Sequence, residues 1–236
     1  SLIIGKMYSS SDLAYYNQGN QFPNVIVNNI NTSIDSVLFP TLAKEQEDKE
    51  RVKNMTRRAI KTSTYVMAPI MMGLAFCAKP VVQIVLTEKW LPCVPFLQIF
   101  CIAYMFQPIH TSNLNAIKAM GRSDLFLKLE IAKKIVGVTV LIFTMWFGVM
   151  AMSYSLLLTN VMGMIINSWP NKKLLNYSFK EQIFDIFPTI ILAIIMGGCV
   201  WFIGIFKFSN AITLIIQVPL GVVIYIIGSK LLHIDS

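Results

Sequence analysis

Residues 20–35, NQFPNVIVNNINTSID, carry five asparagines and an aspartate in a chain that is otherwise apolar. At 100° per residue, Asn17, Asn20, Gln21, Asn24, Asn28, Asn31 and Asp35 fall in one arc of roughly 100°. Phe22, Ile26, Ile30, Ile34 and Val37 lie outside that arc as a lipid-like face, with Asn29, Ser33 and Ser36 out of line. An amide offers donors and an acceptor together, which suits a cargo rich in hydroxyls. Asp at the centre of a lipid-facing helix costs about 2.5–3.5 kcal/mol, so Asp35 is not expected against hydrocarbon. Amides also join helices to one another in membranes. A pair would point to that role; seven in one arc point to a water-filled path lined by Asn24, Asn28, Asn31 and Asp35.

A weaker polar face follows at Gln107, His110 and Thr111, beside Pro108. His110 reads as a ligand-binding or proton-linked group, or as an interhelical hydrogen-bonding histidine. Lys133 and Lys134 either snorkel to the interface or reach a phosphate on a lipid-linked cargo. Cys77, Cys93, Cys101 and Cys199 have no metal-like spacing and read as packing residues. Neither a metal nor a cofactor is expected.

The elements that carry these residues are membrane spans. The chain is 55% hydrophobic and only 14% charged, where a soluble domain carries about a quarter charged residues. Apolar blocks recur at 65–86, 96–109, 135–147, 151–166, 186–206 and 211–228. The expected helices are 13–42, 55–86, 96–120, 125–147, 151–169, 183–206 and 211–232, preceded by the tail of a helix at residues 1–6. That organisation is one all-α polytopic bundle of about seven spans over residues 1–236, with no soluble domain. The opening SLIIGK suggests the later part of a longer protein.

Charge supports the alternation. With the 44–54 connector in the cytoplasm, sixteen of the twenty Lys and Arg residues fall on the cytoplasmic side. Lys6, Lys79, Lys89 and Lys207 fall opposite, the bias the positive-inside rule requires. The net charge of +8 is then met by anionic lipid, and no nucleic-acid partner is needed. The acidic run Glu45, Glu47, Asp48, Glu50 is interleaved with Lys and Arg as a solvated connector. No Asp-x-Asp occurs, so a membrane-embedded glycosyl- or acyltransferase is disfavoured and the chain is not expected to be an enzyme.

SVLFPTLAKEQEDKERVKNMTRRAIK and KWLPCVPFLQIFCIAYMFQPIHTSNLNAIKAMGRSDLFLKLEIAKK resemble segments of bacterial polysaccharide flippases of the Wzx/PST type. These belong to the multidrug/oligosaccharidyl-lipid/polysaccharide exporter superfamily. The opening GKMYSSSDLAYYNQGNQFP is similar too, so the resemblance covers most of residues 5–134. It implies a fourteen-helix fold of two bundles, of which this chain is the second, C-terminal one. It also implies translocation of an undecaprenyl-pyrophosphate-linked oligosaccharide across the bacterial inner membrane for surface polysaccharide biosynthesis. The implied partners are that lipid-linked oligosaccharide, membrane lipids, the N-terminal half of the same protein and a coupling ion. Family members tend to carry cationic side chains in the lumen, and none stands at mid-helix here. The alternative within the superfamily is an ion-coupled multidrug exporter with Asp35 as its carboxylate, although the amide stripe suits sugar better than drugs.

Overall fold

The computed structural model describes residues 5, 7–206 and 209–234. The helix tail expected at residues 1–6 lies, apart from Gly5, outside the described residues, as does Lys207. All regular structure among the described residues is helical: α1 (Ser10–Lys44), α2 (Lys49–Phe76), α3 (Ala78–Val85), α4 (Val94–Tyr104), α5 (Gln107–Ala119), α6 (Ser123–Thr144), α7 (Val149–Leu174), α8 (Phe179–Ile203) and α9 (Asn210–Leu231).

Local signals set the ends. Ser9 and Asp12 form a capping box at the start of α1, and Ser178 and Glu181 form one at α8. The expected start of α2 at Met55 moves back to Lys49, because the Asp48 carboxylate accepts the Glu50 and Arg51 amides. Half of the charged connector is therefore helix, and good helix formers such as Lys, Glu and Arg favour its extension.

Two expected single helices are interrupted. The 55–86 segment turns by 72° at Cys77, between α2 and α3. The 96–120 segment breaks at Met105–Phe106, just before Pro108, which has no N–H to give the preceding turn. Gly121 (φ 70°) and Gly148 (φ 100°) make the turns into α6 and α7, a backbone region open to glycine.

Four stretches are long and apolar enough to cross a membrane: Glu88–Ala119, Val149–Leu174, Phe179–Phe206 and Asn210–Leu231. The bent α2–α3 pair makes a fifth if counted as one span. At 1.5 Å per residue α1 and α6 are also long enough. They are too polar to qualify by composition, α1 through its amides and α6 through Lys128, Glu130, Lys133 and Lys134. The chain is an all-α polytopic membrane bundle.

Two apolar clusters hold it together. Met67, Met71, Leu97, Ala193 and Met196 join α2, α4 and α8. Leu42, Val52, Ile60, Ile109 and Ile186 join α1, α2, α5 and α8 near the 44–54 connector. Close backbone approaches let the helices meet. A Cβ on Gly19 would stand 2.7 Å from Phe96 Cβ and 2.9 Å from the Leu97 nitrogen, so α1 and α4 touch there without side chains between them. Outward faces are apolar: Leu127, Ile131, Ile135 and Ile142 on α6, and Ile215, Val218, Val222 and Ile226 on α9, are exposed. In hydrocarbon such a surface has no water to avoid.

Candidate functional site

The amide stripe of α1 lies on the open side of the helix. Asn17, Gln21, Asn24, Asn28 and Asp35 are exposed, whereas Val27, Ile34, Leu38 and Leu42 on the other side are buried. Phe22, Ile26 and Ile30 pack against the core clusters. The face expected to meet lipid therefore packs on protein, except for Val37, which is exposed. The reason is that α4 and α5 occupy that side of α1. At the edges the stripe is anchored. The Tyr104 hydroxyl donates to Asn20 Oδ1 at 2.8 Å, and Asn115 Nδ2 donates to Asp35 Oδ1 at 2.6 Å. Asn31 is half-buried, with a buried Oδ1 that has no hydrogen-bond partner.

A groove of about 710 Å³ runs between α1 and α2 on a different side of α1, and no residue of the stripe lines it. Asn29, Ser33 and Thr41 line one wall, and Arg58, Thr62 and Ser63 line the other. Asn29 and Ser33 lie out of line with the stripe, and Arg58, Thr62 and Ser63 belong to the helix expected over 55–86, where they are not singled out as a site. Their signal is the spacing of Arg58, Thr62 and Val66 at every fourth residue. Arg58 also lines an adjoining 380 Å³ depression with Asp48, Glu50 and Arg51, so the groove opens toward the 44–54 connector.

Gln107 and His110 belong to a different place. Gln107 Nε2 donates to Asn160 Oδ1 at 3.2 Å, and His110 Nδ1 lies 3.0 Å from Asn167 Nδ2, so both face α7. His110 is 9% exposed and its Nε2 has no partner. A Cβ on Gly163 would meet both His110 Cε1 (3.2 Å) and Lys133 Cδ (3.6 Å), which brings α5, α6 and α7 together at this point. Lys133 forms an ion pair with Glu130, and Lys134 is exposed on α6. Neither lysine lines the α1–α2 groove.

A further polar cluster, absent from the sequence reading, is fully buried among α5, α7 and α8. Gln182 Oε1 accepts from Asn113 at 2.7 Å and from Ser168 at 3.0 Å. Asn113 Oδ1 accepts from Asn171 at 2.6 Å and from Gln182 at 3.1 Å. Beside it Arg57 of α2 makes two hydrogen bonds to the Asp185 carboxylate, which also accepts from the Tyr177 hydroxyl at 2.8 Å. Burial first, then the hydrogen bond to Asp185, pushes the Tyr177 hydroxyl above its usual pKa. Groups hydrogen-bonded to one another in this way hold helices in place, and of this cluster the buried Asn171 Oδ1 is left without a partner. Among the described residues no three His, Cys, Asp or Glu side chains come together to hold a metal ion.

The structure is thus a helical membrane bundle with an open amide face on α1 and a groove between α1 and α2. The family described as "Polysaccharide biosynthesis protein" matches residues 1–95. A Klebsiella pneumoniae protein described as an uncharacterized membrane protein in the cps region is 30% identical over 217 residues, 79% of this chain and 45% of that protein. The lipopolysaccharide biosynthesis protein WzxC of Escherichia coli is 21% identical over 206 residues, 84% of this chain and 42% of the relative. In fold the chain is similar to the lipid II flippase MurJ in an inward closed conformation. The TM-score is 0.77 at 16% identity, covering 96% of this chain and 48% of that one. The chain thus spans about half the length of the relatives it matches. The chain is similar over most of its length to bacterial polysaccharide-biosynthesis membrane proteins of the Wzx type, and is a multi-pass protein of the bacterial inner membrane.

Proposed function

We propose that the protein of which this chain forms a part moves a lipid-linked oligosaccharide, carried on undecaprenyl pyrophosphate, across the inner membrane. The observation that carries the reading is the exposed amide face of α1; the groove on another side of the same helix adds a wall of hydroxyls and an arginine. Asn24, Asn28, Asn31 and Asp35 contact the sugar in passage. Asn and Gln exchange hydrogen bonds with hydroxyls at little net cost, so a sugar can move from one amide to the next without being trapped. Arg58 stands at the connector end of the groove and contacts the pyrophosphate there. Lys133 and Lys134 remain phosphate contacts for a lipid approaching along α6. Gln107 and His110 act from behind, through the α5–α7 seam.

In this reading the polypeptide catalyses no bond-making. About seven helices, α1 and α6 included, cross the membrane as one bundle, the C-terminal member of a fourteen-helix pair. The N-terminal half of the protein faces the α1 stripe and closes the path, and a coupling ion drives the exchange between inward- and outward-open states.

The test is translocation in proteoliposomes of the full-length protein, with an undecaprenyl-pyrophosphate-linked oligosaccharide as cargo. Asn28→Ala/Asn31→Ala and Arg58→Gln each lower transport while the protein stays folded. Unchanged transport in both variants would remove the stripe and groove from the path. Export of cationic drugs without movement of the lipid-linked sugar would overturn the flippase reading itself.

A further inference from the structure

Two cavities at the other end of the bundle meet at one side chain. An apolar trough of about 440 Å³ lies between α2, α8 and α9, walled by Ile70, Leu74, Val200, Val218 and Val222. A second cavity of about 540 Å³ lies between α3, α4, α8 and α9 and is polar, with Lys79, Gln83, Gln98 and Asn210 in its wall. Gln217 lines both.

Gln217 is 2% exposed, and its Nε2 donates to the Val200 carbonyl at 2.8 Å. That carbonyl can only accept, which fixes the amide the right way round. Gln217 Oε1 is therefore a buried acceptor, and it has no partner. Leaving such a group unmet is unfavourable, so the position suits a ligand that brings a hydroxyl or N–H donor. Lys79 is exposed, and among the described residues lining the polar cavity it is the one with a charge. It lies on the side that the charge bias assigns to the outer leaflet, where lysine is scarce.

We propose that this pair of cavities binds an anionic glycerophospholipid of the outer leaflet. Its phosphate pairs with Lys79, a headgroup hydroxyl donates to Gln217 Oε1, and an acyl chain fills the trough. Charge, unmet acceptor and apolar trough each match one part of that molecule. The site is separate from the α1–α2 groove, and its occupancy does not depend on what the protein transports.

The experiment is native mass spectrometry of the full-length protein, delipidated and then titrated with phosphatidylglycerol, phosphatidylcholine or undecaprenyl phosphate. Phosphatidylglycerol is retained one per chain and preferred over phosphatidylcholine, which lacks both the net charge and the donor. Lys79→Gln weakens its retention about fivefold, whereas Lys172→Gln at the opposite end leaves it unchanged. Gly221→Leu, whose side chain enters the trough against Val200 and Met196, also lowers it. Equal binding of the two phospholipids, or no effect of Lys79→Gln, would overturn the proposal. So would displacement of phosphatidylglycerol by undecaprenyl phosphate at lower concentration, since the cavities would then belong to the cargo.

Discussion

Asn115 of α5 reaches Asp35 of α1 with a 2.6 Å hydrogen bond from its Nδ2, so the acidic end of the stripe is held by the helix behind it. Asp35 nevertheless remains exposed. Hydrogen bonds to an ionised group are stronger than neutral ones, while polar pairs between membrane helices average about 0.6 kcal/mol. Asn115→Leu is thus expected to cost about 0.6 kcal/mol of stability, because Asp35 can turn to water. Transport falls more than stability does, since the carboxylate loses its fixed position. Thermal unfolding in detergent and proteoliposome transport, run on the same preparation, give the comparison. A large stability loss with proportionate loss of transport would make the contact structural only.

The buried amide cluster behaves in the opposite way. Asn113 is fully buried and supports Gln182, Ser168 and Asn171 together. Asn113→Leu strands those partners without water and costs about 1–3 kcal/mol. Asn24→Ala, on the exposed stripe, stays within about 0.5 kcal/mol. Chemical or thermal unfolding of both variants checks the order, which reverses if the stripe and not the cluster is the structural glue.

Two glycines separate packing from propensity. A methyl on Gly19 would stand 2.7 Å from Phe96 Cβ and against the backbone of α4, while one on Gly198 meets nothing within 4 Å. Gly19→Ala pushes α1 from α4 and costs about 1–3 kcal/mol. Gly198→Ala is neutral or stabilises by up to about 1 kcal/mol through helix propensity. Midpoints of thermal unfolding for the pair decide it.

Water access to the stripe is measurable directly. In a background with Cys199, the exposed cysteine, replaced by serine, Asn24→Cys and Asn28→Cys react with a membrane-impermeant maleimide in the full-length protein. Val27→Cys, 5% exposed on the buried face, does not. Equal, slow labelling of all three would mean that lipid or protein covers the amides.

The class of fold was legible because apolar blocks and cationic loops are both long-range statements about one membrane. The stripe was legible because its residues share one helix and one period. What escaped depends on which helices become neighbours. Nothing in the spacing of Asn113, Ser168, Asn171 and Gln182 brings them together; the packing of α5, α7 and α8 does. The spacing of His110 carries no sign of its neighbour either; the fold sets it beside Asn167 of α7. The lipid-like face given to α1 failed for the same reason, because an apolar face in a membrane bundle meets either lipid or another helix and composition is the same for both. The extension of α2 back to Lys49 was missed because charge density was taken for a loop, when Asp48 was there to cap a helix.

The polarity of α1 also bears on how the protein is made. A helix of 35 residues whose open side carries amides and Asp35 partitions poorly into lipid alone. Its packing partners α4 and α5, which follow in the chain, cover only the apolar side. In the proposed reading the open side is covered by the N-terminal half of the protein, which is synthesised before α1. The helix then enters the membrane beside a partner already made. Mutations in α5 should leave the integration of α1 intact and appear as defects of the folded bundle.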